Sequence, residues 1–174
     1  MKNEKIIILA KSGGGKNYLV DYLTNKGMIP EVKTTTRPIR EGEISGHTYN
    51  YTTTEVFLES ISKGLFNEYE TFNTTSGVWY YGSTKEDFNK SQIFIKTVGG
   101  LNQLSKEDRS KCFVVYLDID RDILQERLIN RNDPNDSIKR RLDSDDKDFE
   151  NFSDYDLRIT DPEYDPEIVW ELAN

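Results

Sequence analysis

A glycine-rich turn between an apolar run and a helical pattern limits what this chain can fold into more than any other feature. The segment 10–17 reads Ala-Lys-Ser-Gly-Gly-Gly-Lys-Asn; it follows the apolar residues 6–9 and precedes the helical pattern 18–23. Such a turn directs several backbone N–H groups at one anion, and the helix N-terminus adds a partial positive charge. The sequence therefore predicts a strand, a phosphate-binding turn and a helix in succession.

The turn departs at two positions from the phosphate-binding pattern G-x-x-x-x-G-K-[S/T]. Ala10 replaces the first glycine, and Asn17 replaces the hydroxyl residue that would hold Mg²⁺. An amide oxygen is still a hard, neutral ligand, so Asn17 is the predicted contact for a Mg²⁺ ion that arrives with the nucleotide. The residues predicted to bind the nucleotide phosphates are Ser12, Gly13, Gly14, Gly15, Lys16 and Asn17. A strand–helix turn that binds nothing is the alternative.

The composition is that of one acidic domain. The net charge of the 174 residues is −8, which argues against affinity for nucleic acid or for an anionic membrane surface. No apolar stretch approaches the roughly 20 residues that span a bilayer, and the N-terminal residues lack the pattern of a secretory signal. The single cysteine, Cys112, lies in an apolar run, so we expect a buried core thiol and a cytoplasmic location.

Segments typical of strands and helices alternate through most of the chain. The predicted parallel strands are 5–10, 29–33, 91–97, 112–118 and 156–160. The predicted helices are 16–26, 99–108, 120–131, 136–150 and 163–173, the last beginning after Asp161 and Pro162. Short apolar strands that alternate with helices indicate an α/β fold with its ligand at the carboxyl ends of the strands.

The stretch from about 34 to 84 interrupts this alternation. It is rich in Thr, Tyr, Phe and Gly, with strand-like segments at 49–52, 66–70 and 78–81 and a helical segment at 54–63. A disordered linker would contain few aromatic residues. We therefore predict an inserted subdomain built on a small mixed or antiparallel sheet.

Two arginines at the start of this insertion form a second candidate site. Arg37 and Arg40 lie three residues apart around a proline, and guanidinium groups match the geometry of a phosphate. Taken alone, two loop arginines are more often solvated surface. Their surroundings, however, read Thr35-Thr36-Arg37-Pro38-Ile39-Arg40-Glu41-Gly42-Glu43-Ile44-Ser45-Gly46-His47-Thr48-Tyr49.

This segment resembles the guanylate kinase family, whose pattern is T-T-R-x-x-R-x-G-E-x-x-G-x-x-Y. The likeness continues through 64–68, 80–84, 126–131 and 138–142. It implies an α/β fold with a P-loop NTPase-like parallel sheet core flanked by helices, an inserted small mixed-sheet nucleotide-binding subdomain and a helical lid. The implied divisions of this single domain are the core (1–33, 84–126 and 143–174), the nucleoside monophosphate (NMP) subdomain (34–83) and the lid (127–142).

The resemblance also implies a reaction and roles for particular residues. The reaction is the transfer of the γ-phosphate of ATP to GMP or dGMP, with Mg²⁺ accompanying ATP. The implied grip on the acceptor phosphate consists of Arg37, Arg40, Tyr49 and Tyr81, while Glu68 accepts hydrogen bonds from guanine and Ser83 lies nearby. The implied catalytic residues are Lys16 and the lid arginines Arg127, Arg131 and Arg141. For the helical pair Arg127 and Arg131, a surface row of ion pairs is the alternative.

Two segments depart from the family pattern near the acceptor site. Lys33 replaces a serine before the Thr-Thr-Arg box, and Ile95-Lys96-Thr97 replaces the D-I-D strand end. These changes leave open a kinase for another (deoxy)nucleoside monophosphate. A catalytically weak or inactive guanylate kinase-like module that binds phosphopeptides is a further alternative. The sequence does not distinguish a monomer from a homodimer.

Overall fold

The computed structural model describes residues 4–74, 76–131 and 137–173. Its strands are β1 (Lys5–Ala10), β2 (Thr34–Thr35), β3 (Asn50–Tyr51), β4 (Phe66–Thr74), β5 (Gly77–Thr84), β6 (Ile93–Ile95), β7 (Cys112–Leu117) and β8 (Leu157–Ile159). Its helices are α1 (Lys16–Asn25), α2 (Thr54–Ser62), α3 (Lys85–Lys90), α4 (Val98–Asn102), α5 (Lys106–Ser110), α6 (Arg121–Arg131), α7 (Ile138–Asp148) and α8 (Glu167–Ala173).

Four strands form a parallel sheet in the order β6-β1-β7-β8. Every residue of β1 is buried, as expected for a central strand that helices cover on both faces. Ile6 and Ile8 pack in one core cluster with Leu19 of α1, whereas Ile7 packs in a second cluster with Phe94. The sheet and α1 thereby fix the glycine-rich turn at the carboxyl end of β1.

The inserted stretch forms a second, mixed sheet in the order β3-β2-β5-β4. β4 and β5 pair antiparallel from Phe66 opposite Thr84 to Thr74 opposite Gly77, so both strands are longer than predicted. The inner end of β4 is tied to the core, because the side chain of Gln103 exchanges two hydrogen bonds with the backbone of Tyr69. The predicted small mixed sheet is confirmed.

Two predicted elements are wrong. The segment 29–33 forms only an isolated bridge between Pro30 and Ile93, in which the Ile93 N–H donates to the Ile29 carbonyl at 3.1 Å and the Glu31 N–H donates to the Ile93 carbonyl at 2.8 Å. The predicted helix 99–108 is two helices, α4 and α5. The second starts at its own cap, since Ser105 Oγ accepts a hydrogen bond from the Asp108 N–H at 3.0 Å.

The last helix begins later than predicted. Asp161 forms a turn by accepting from the Glu163 N–H at 2.9 Å, and the chain then repeats the Asp-Pro pair. The second aspartate, Asp165, accepts from the Glu167 N–H at 2.9 Å where α8 starts. The helix therefore uses the second of two equivalent start signals.

Two further observations complete the fold. Burial raises the pKa of the Cys112 thiol to about 11, which agrees with the predicted core position. Within the described ranges, none of the helices has the length and apolar character to cross a membrane. The segment 132–136, which contains part of the predicted lid and the first residue of the predicted helix 136–150, lies outside the described residues.

Candidate active site

The glycine-rich turn has the backbone geometry of a compact loop. Gly13 and Gly15 have φ angles of 80° and 88°, in the left-handed region that glycine adopts without strain. A Cβ on Gly14 would lie 2.7 Å from the Cβ of Ala10, so a side chain does not fit there. α1 begins directly after this loop, at Lys16. The loop and the start of the helix therefore present backbone N–H groups at the carboxyl end of β1.

The lysine of the loop folds back over it. Lys16 Nζ donates to the carbonyl oxygens of Ala10 at 2.7 Å and Lys11 at 3.3 Å. These bonds hold the ammonium group close to the N–H groups that would receive phosphate oxygens. Asn17, the next residue, is exposed.

An acidic stretch of α7 contacts the same loop. The Ser12 N–H donates to Asp145 Oδ2 at 2.6 Å, and Lys11 Nζ pairs with Asp146 Oδ1 at 2.6 Å. A carboxylate thus occupies one of the loop's donor groups. Sequence reasoning missed this contact, because the two segments are 133 residues apart in the chain.

A cavity of about 830 Å³ joins the loop to the second sheet and to α7. Its volume falls in the range of small-molecule sites, roughly 300–1,000 Å³. The predicted site residues that line it are Ser12, Lys16, Asn17, Tyr49, Tyr81 and Arg141. The loop and the two tyrosines of the predicted acceptor-phosphate group therefore line one space, whereas Arg37 and Arg40 are not among the described residues that line it.

Arg37 is the most buried member of the predicted acceptor-phosphate group. Its side chain is buried and makes two hydrogen bonds to the Glu43 carboxylate, at 2.6 Å and 3.0 Å. These bonds raise the pKa of Arg37 above its usual value and, with the Tyr51 hydroxyl, lower the pKa of Glu43 to about 2. The guanidinium also lies 5.3 Å from the ring centre of Tyr49.

The other members of this group differ in exposure. The rings of Tyr49 and Tyr81 meet edge to face with centroids 5.7 Å apart, so Arg37 and the two tyrosines form one cluster. Arg40 is exposed, and its backbone N–H donates to Glu43 Oε2 at 2.7 Å. Glu43 therefore links the two arginines, and sequence reasoning assigned it no role.

Glu68 is buried in an ion cluster. Its Oε1 accepts from Ser83 Oγ at 2.7 Å, Lys96 Nζ at 2.9 Å and Lys33 Nζ at 3.0 Å. Although burial favours the neutral acid, the two lysines outweigh it and lower the pKa of Glu68 to about 2. The carboxylate and Lys96 have side chains with 0% exposure, and Lys33 has 17%. Lys33 and Lys96, which both depart from the family pattern, thus form ion pairs with the predicted base-binding residue.

Two more carboxylates surround this ion cluster. Glu70 accepts from Thr97 Oγ1 at 2.5 Å, and both residues line the cavity. Both carboxyl oxygens of Glu31 are buried without a hydrogen-bond partner among the described residues, and burial raises the pKa of this group. The acceptor end of the cavity is therefore lined by Glu31, Glu70, Lys33 and Lys96, and the two lysines are both bonded to buried Glu68.

Two of the three predicted lid arginines lie near the phosphate-binding loop or the cavity. Arg127 donates to the carbonyl oxygens of Gly13 at 3.3 Å and Pro162 at 3.4 Å, so it lies beside the phosphate-binding loop. Arg141 lines the cavity from α7. The side chain of Arg131 lies outside the described residues.

A dedicated metal cage is absent from the described ranges, in which no three acidic, histidine or cysteine side chains are grouped to hold an ion. Asn17 alone places a neutral amide at the cavity, at the start of α1. This donor set fits a Mg²⁺ ion whose other ligands are nucleotide phosphates and water, because Mg²⁺ usually keeps several waters and few protein ligands.

Comparison with known proteins decides the family. A sequence model described as guanylate kinase matches residues 2–174. The chain belongs to the guanylate kinase family. The guanylate kinase of Helicobacter pylori (strain ATCC 700392 / 26695) is 33% identical over 181 residues, which cover 97% of this chain and 85% of that protein. That of Legionella pneumophila (strain Paris) is 30% identical over 172 residues, with 91% and 78% covered.

The fold agrees with this membership. The crystal structure of the guanylate kinase from Anaplasma phagocytophilum superposes with a TM-score of 0.66 at 19% identity and covers 99% of this chain and 83% of that one. The predicted P-loop NTPase-like core is confirmed. Relative to the guanylate kinase pattern, the lysines at 33 and 96 are two departures that meet at the same carboxylate, Glu68.

Proposed function

We propose that this member of the guanylate kinase family transfers the γ-phosphate of ATP to GMP or dGMP, producing ADP and the nucleoside diphosphate. The observation that carries the proposal is the single cavity between the phosphate-binding loop and the cluster of Arg37, Tyr49 and Tyr81. Phosphoryl transfer depends on positioning and charge neutralisation more than on covalent chemistry. The cavity has Lys16 at the loop and, at its other end, Tyr49, whose ring centre lies 5.3 Å from the Arg37 guanidinium.

The donor site is the loop. Its N–H groups and the Lys16 ammonium bind the β- and γ-phosphates of ATP, and binding displaces Asp145 from the Ser12 N–H. Mg²⁺ enters with ATP as part of the substrate, and Asn17 supplies one neutral oxygen to it. The ion neutralises charge on the phosphates.

The acceptor site is the arginine–tyrosine cluster. An oxygen of the GMP phosphate attacks the γ-phosphorus while the bond to ADP breaks. Arg37 shares its guanidinium between this phosphate and Glu43, and exposed Arg40 completes the grip when the loop closes. The base then extends toward the side of the cavity lined by Lys33, Glu70 and Lys96. The contact of Glu68 with guanine that the family resemblance implies stays a prediction.

The lid supplies the remaining positive charge. Arg127 already lies beside the loop, and Arg141 lies at the cavity wall. An arginine delivered by a closing element is worth about 10³–10⁵ in rate in related phosphoryl transfers. Arg131 is proposed as the third member of this set. A cytoplasmic location and the absence of a nucleic-acid partner are part of the same proposal, whereas a monomer and a homodimer are equally compatible with it.

The test is a coupled assay of ADP release over a panel of ribo- and deoxynucleoside monophosphates. We expect turnover with GMP or dGMP and its loss in Lys16→Ala, with unchanged thermal unfolding. Lys63→Ala is the matched control, because Lys63 is exposed and pairs only locally with Glu59. Turnover of Lys16→Ala within a few-fold of wild type would refute the assignment of this loop to ATP.

A further inference from the structure

The predicted base-binding carboxylate does not reach the cavity. Three donors occupy Oε1 of Glu68, and Oε2 is buried without a described partner. That second oxygen faces the start of α4, where a Cβ on Gly100 would lie 3.2 Å from it. The described residues that line the cavity include Lys33 and Lys96 but not Glu68. The ammonium groups thus lie between this carboxylate and the space that receives the base.

Another carboxylate faces that space. Glu70 lies two residues farther along β4, on the same face of the strand, opposite Tyr81 of β5. It lines the cavity, and the hydrogen bond from Thr97 engages its Oε1. That bond, from the N-cap residue of α4, fixes the orientation of the carboxylate toward the acceptor site.

A fixed cation accompanies Glu70. Lys33 lines the same cavity, and its side chain is anchored by Glu68 at 3.0 Å. Burial disfavours its charge, but Glu68, Glu31 and, more weakly, Glu70 outweigh burial and raise the pKa of Lys33. The cavity wall therefore presents an ammonium donor next to a carboxylate acceptor.

We propose that Glu70 and Lys33 read the base of the acceptor nucleotide, and that Glu68 is a buried counter-ion that positions Lys33. This inference rests on the proposed function. Guanine offers adjacent N1–H and C2-amino donors to a carboxylate and its O6 acceptor to an ammonium group. Adenine reverses the pattern, with an acceptor at N1 and an amino donor at C6. A site built on hydrogen bonds rejects such an analogue because its buried groups lose their partners.

The experiment compares kcat/KM for GMP, IMP and AMP. IMP keeps O6 and N1–H but lacks the C2 amino group. We expect Glu70→Gln to reduce the preference for GMP over AMP about ten- to a hundredfold, the range of one charge-assisted hydrogen bond. It also removes the preference for GMP over IMP. Lys33→Met should instead lower kcat/KM for GMP and for IMP by the same factor, since both bases carry O6. A purely structural role would not separate the substrates in this way.

Glu59→Gln is the matched control, because it removes an exposed carboxylate from α2. Its substrate ratios should equal those of wild type. Unchanged GMP:IMP and GMP:AMP ratios in Glu70→Gln would overturn the inference. The inference would also be overturned if a folded Glu68→Gln variant lost both substrate preferences while the addition of Lys33→Met to that variant still lowered kcat/KM for GMP and IMP.

The proposed function can fail separately. Calorimetric titration with GMP and IMP measures acceptor binding without turnover. A wild-type protein that binds GMP more tightly than IMP, and loses that preference in Glu70→Gln, supports the inference even if ADP release is undetectable. A wild-type protein that binds neither nucleotide refutes both proposals.

Discussion

Substitution of Glu68 by glutamine should destabilise this protein more than any loss of a surface ion pair. The variant keeps the shape of the side chain but leaves Lys33 and Lys96 facing each other without their shared counter-ion. Breaking a buried ion pair by removal of one partner costs about 3–5 kcal/mol. The folded protein would then retain two ammonium groups in a space built around one carboxylate.

The lowered pKa of Glu68 gives a second magnitude for the same interaction with Lys33 and Lys96. It falls from an ordinary value of 4.5 to about 2 in the folded state. Since each pKa unit corresponds to about 1.4 kcal/mol, ionised Glu68 contributes about 3 kcal/mol. A carboxylate with a lowered pKa stabilises the fold above its unfolded pKa and loses that contribution as pH falls through the folded value. The stabilisation is therefore complete above about pH 5 and declines between pH 4.5 and 2.

Urea unfolding of wild type and Glu68→Gln at several pH values tests both numbers. The difference in unfolding free energy should be about 3 kcal/mol from pH 7 to pH 5 and should shrink below pH 4.5. Glu31 titrates in the opposite sense, since burial raises its pKa, but it is present in both proteins. Glu86→Gln removes one partner of an exposed helical pair with Lys90 and should leave the midpoint unchanged.

Two results would refute this reasoning. A Glu68→Gln variant as stable as wild type at pH 7 would mean that the lysines are adequately solvated without the carboxylate. A stability difference that persists undiminished to pH 3 would mean that the ionisation of Glu68 is not its source.

Three further predictions concern the reaction. Arg40→Ala should weaken GMP binding about ten- to a hundredfold without a change in stability, as measured by calorimetry. Arg37→Ala should also lower the urea unfolding midpoint, because Glu43 loses its ion-pair partner. Asn17→Ser should lower the Mg²⁺ concentration for half-maximal rate, because it restores the hydroxyl of the phosphate-loop pattern; an unchanged concentration would contradict a Mg²⁺ contact at this position. The predicted lid and NMP subdomain should close when a bisubstrate analogue binds, which small-angle scattering would detect as a smaller radius of gyration.

The sequence predicted the parts of the site that depend on neighbours in the chain. The glycine-rich loop needs only residues 10–17 between a strand and a helix, and the cluster of Arg37 with Tyr49 lies within one short motif. The spacing of neighbouring residues predicts such features, because the geometry of a strand, a turn or a helix fixes where those residues lie. The α/β class followed from the same local alternation.

The rest depended on contacts between distant segments. Lys33 and Lys96 meet Glu68 from 35 and 28 residues away, and neither a charge pattern nor a periodicity connects the three. The contact of Asp145 with the loop is of the same kind. The late start of α8 has a local cause, because two Asp-Pro pairs lie within six residues and their start signals are chemically equivalent.

The attachment of the β4–β5 hairpin to the core gives the second sheet the mechanics of a lever. Glu68, Tyr69 and Glu70 are bonded to the core at the inner end of β4, whereas the tip near Thr74 has no such tie among the described residues. The tip lies four residues beyond Glu70, or roughly 13 Å along the strand, so a rotation of about 15° at the anchored end moves it roughly 3 Å. Phe72 and Trp79, which line the cavity near the tip, can thus narrow its mouth while the ion cluster at the other end stays intact.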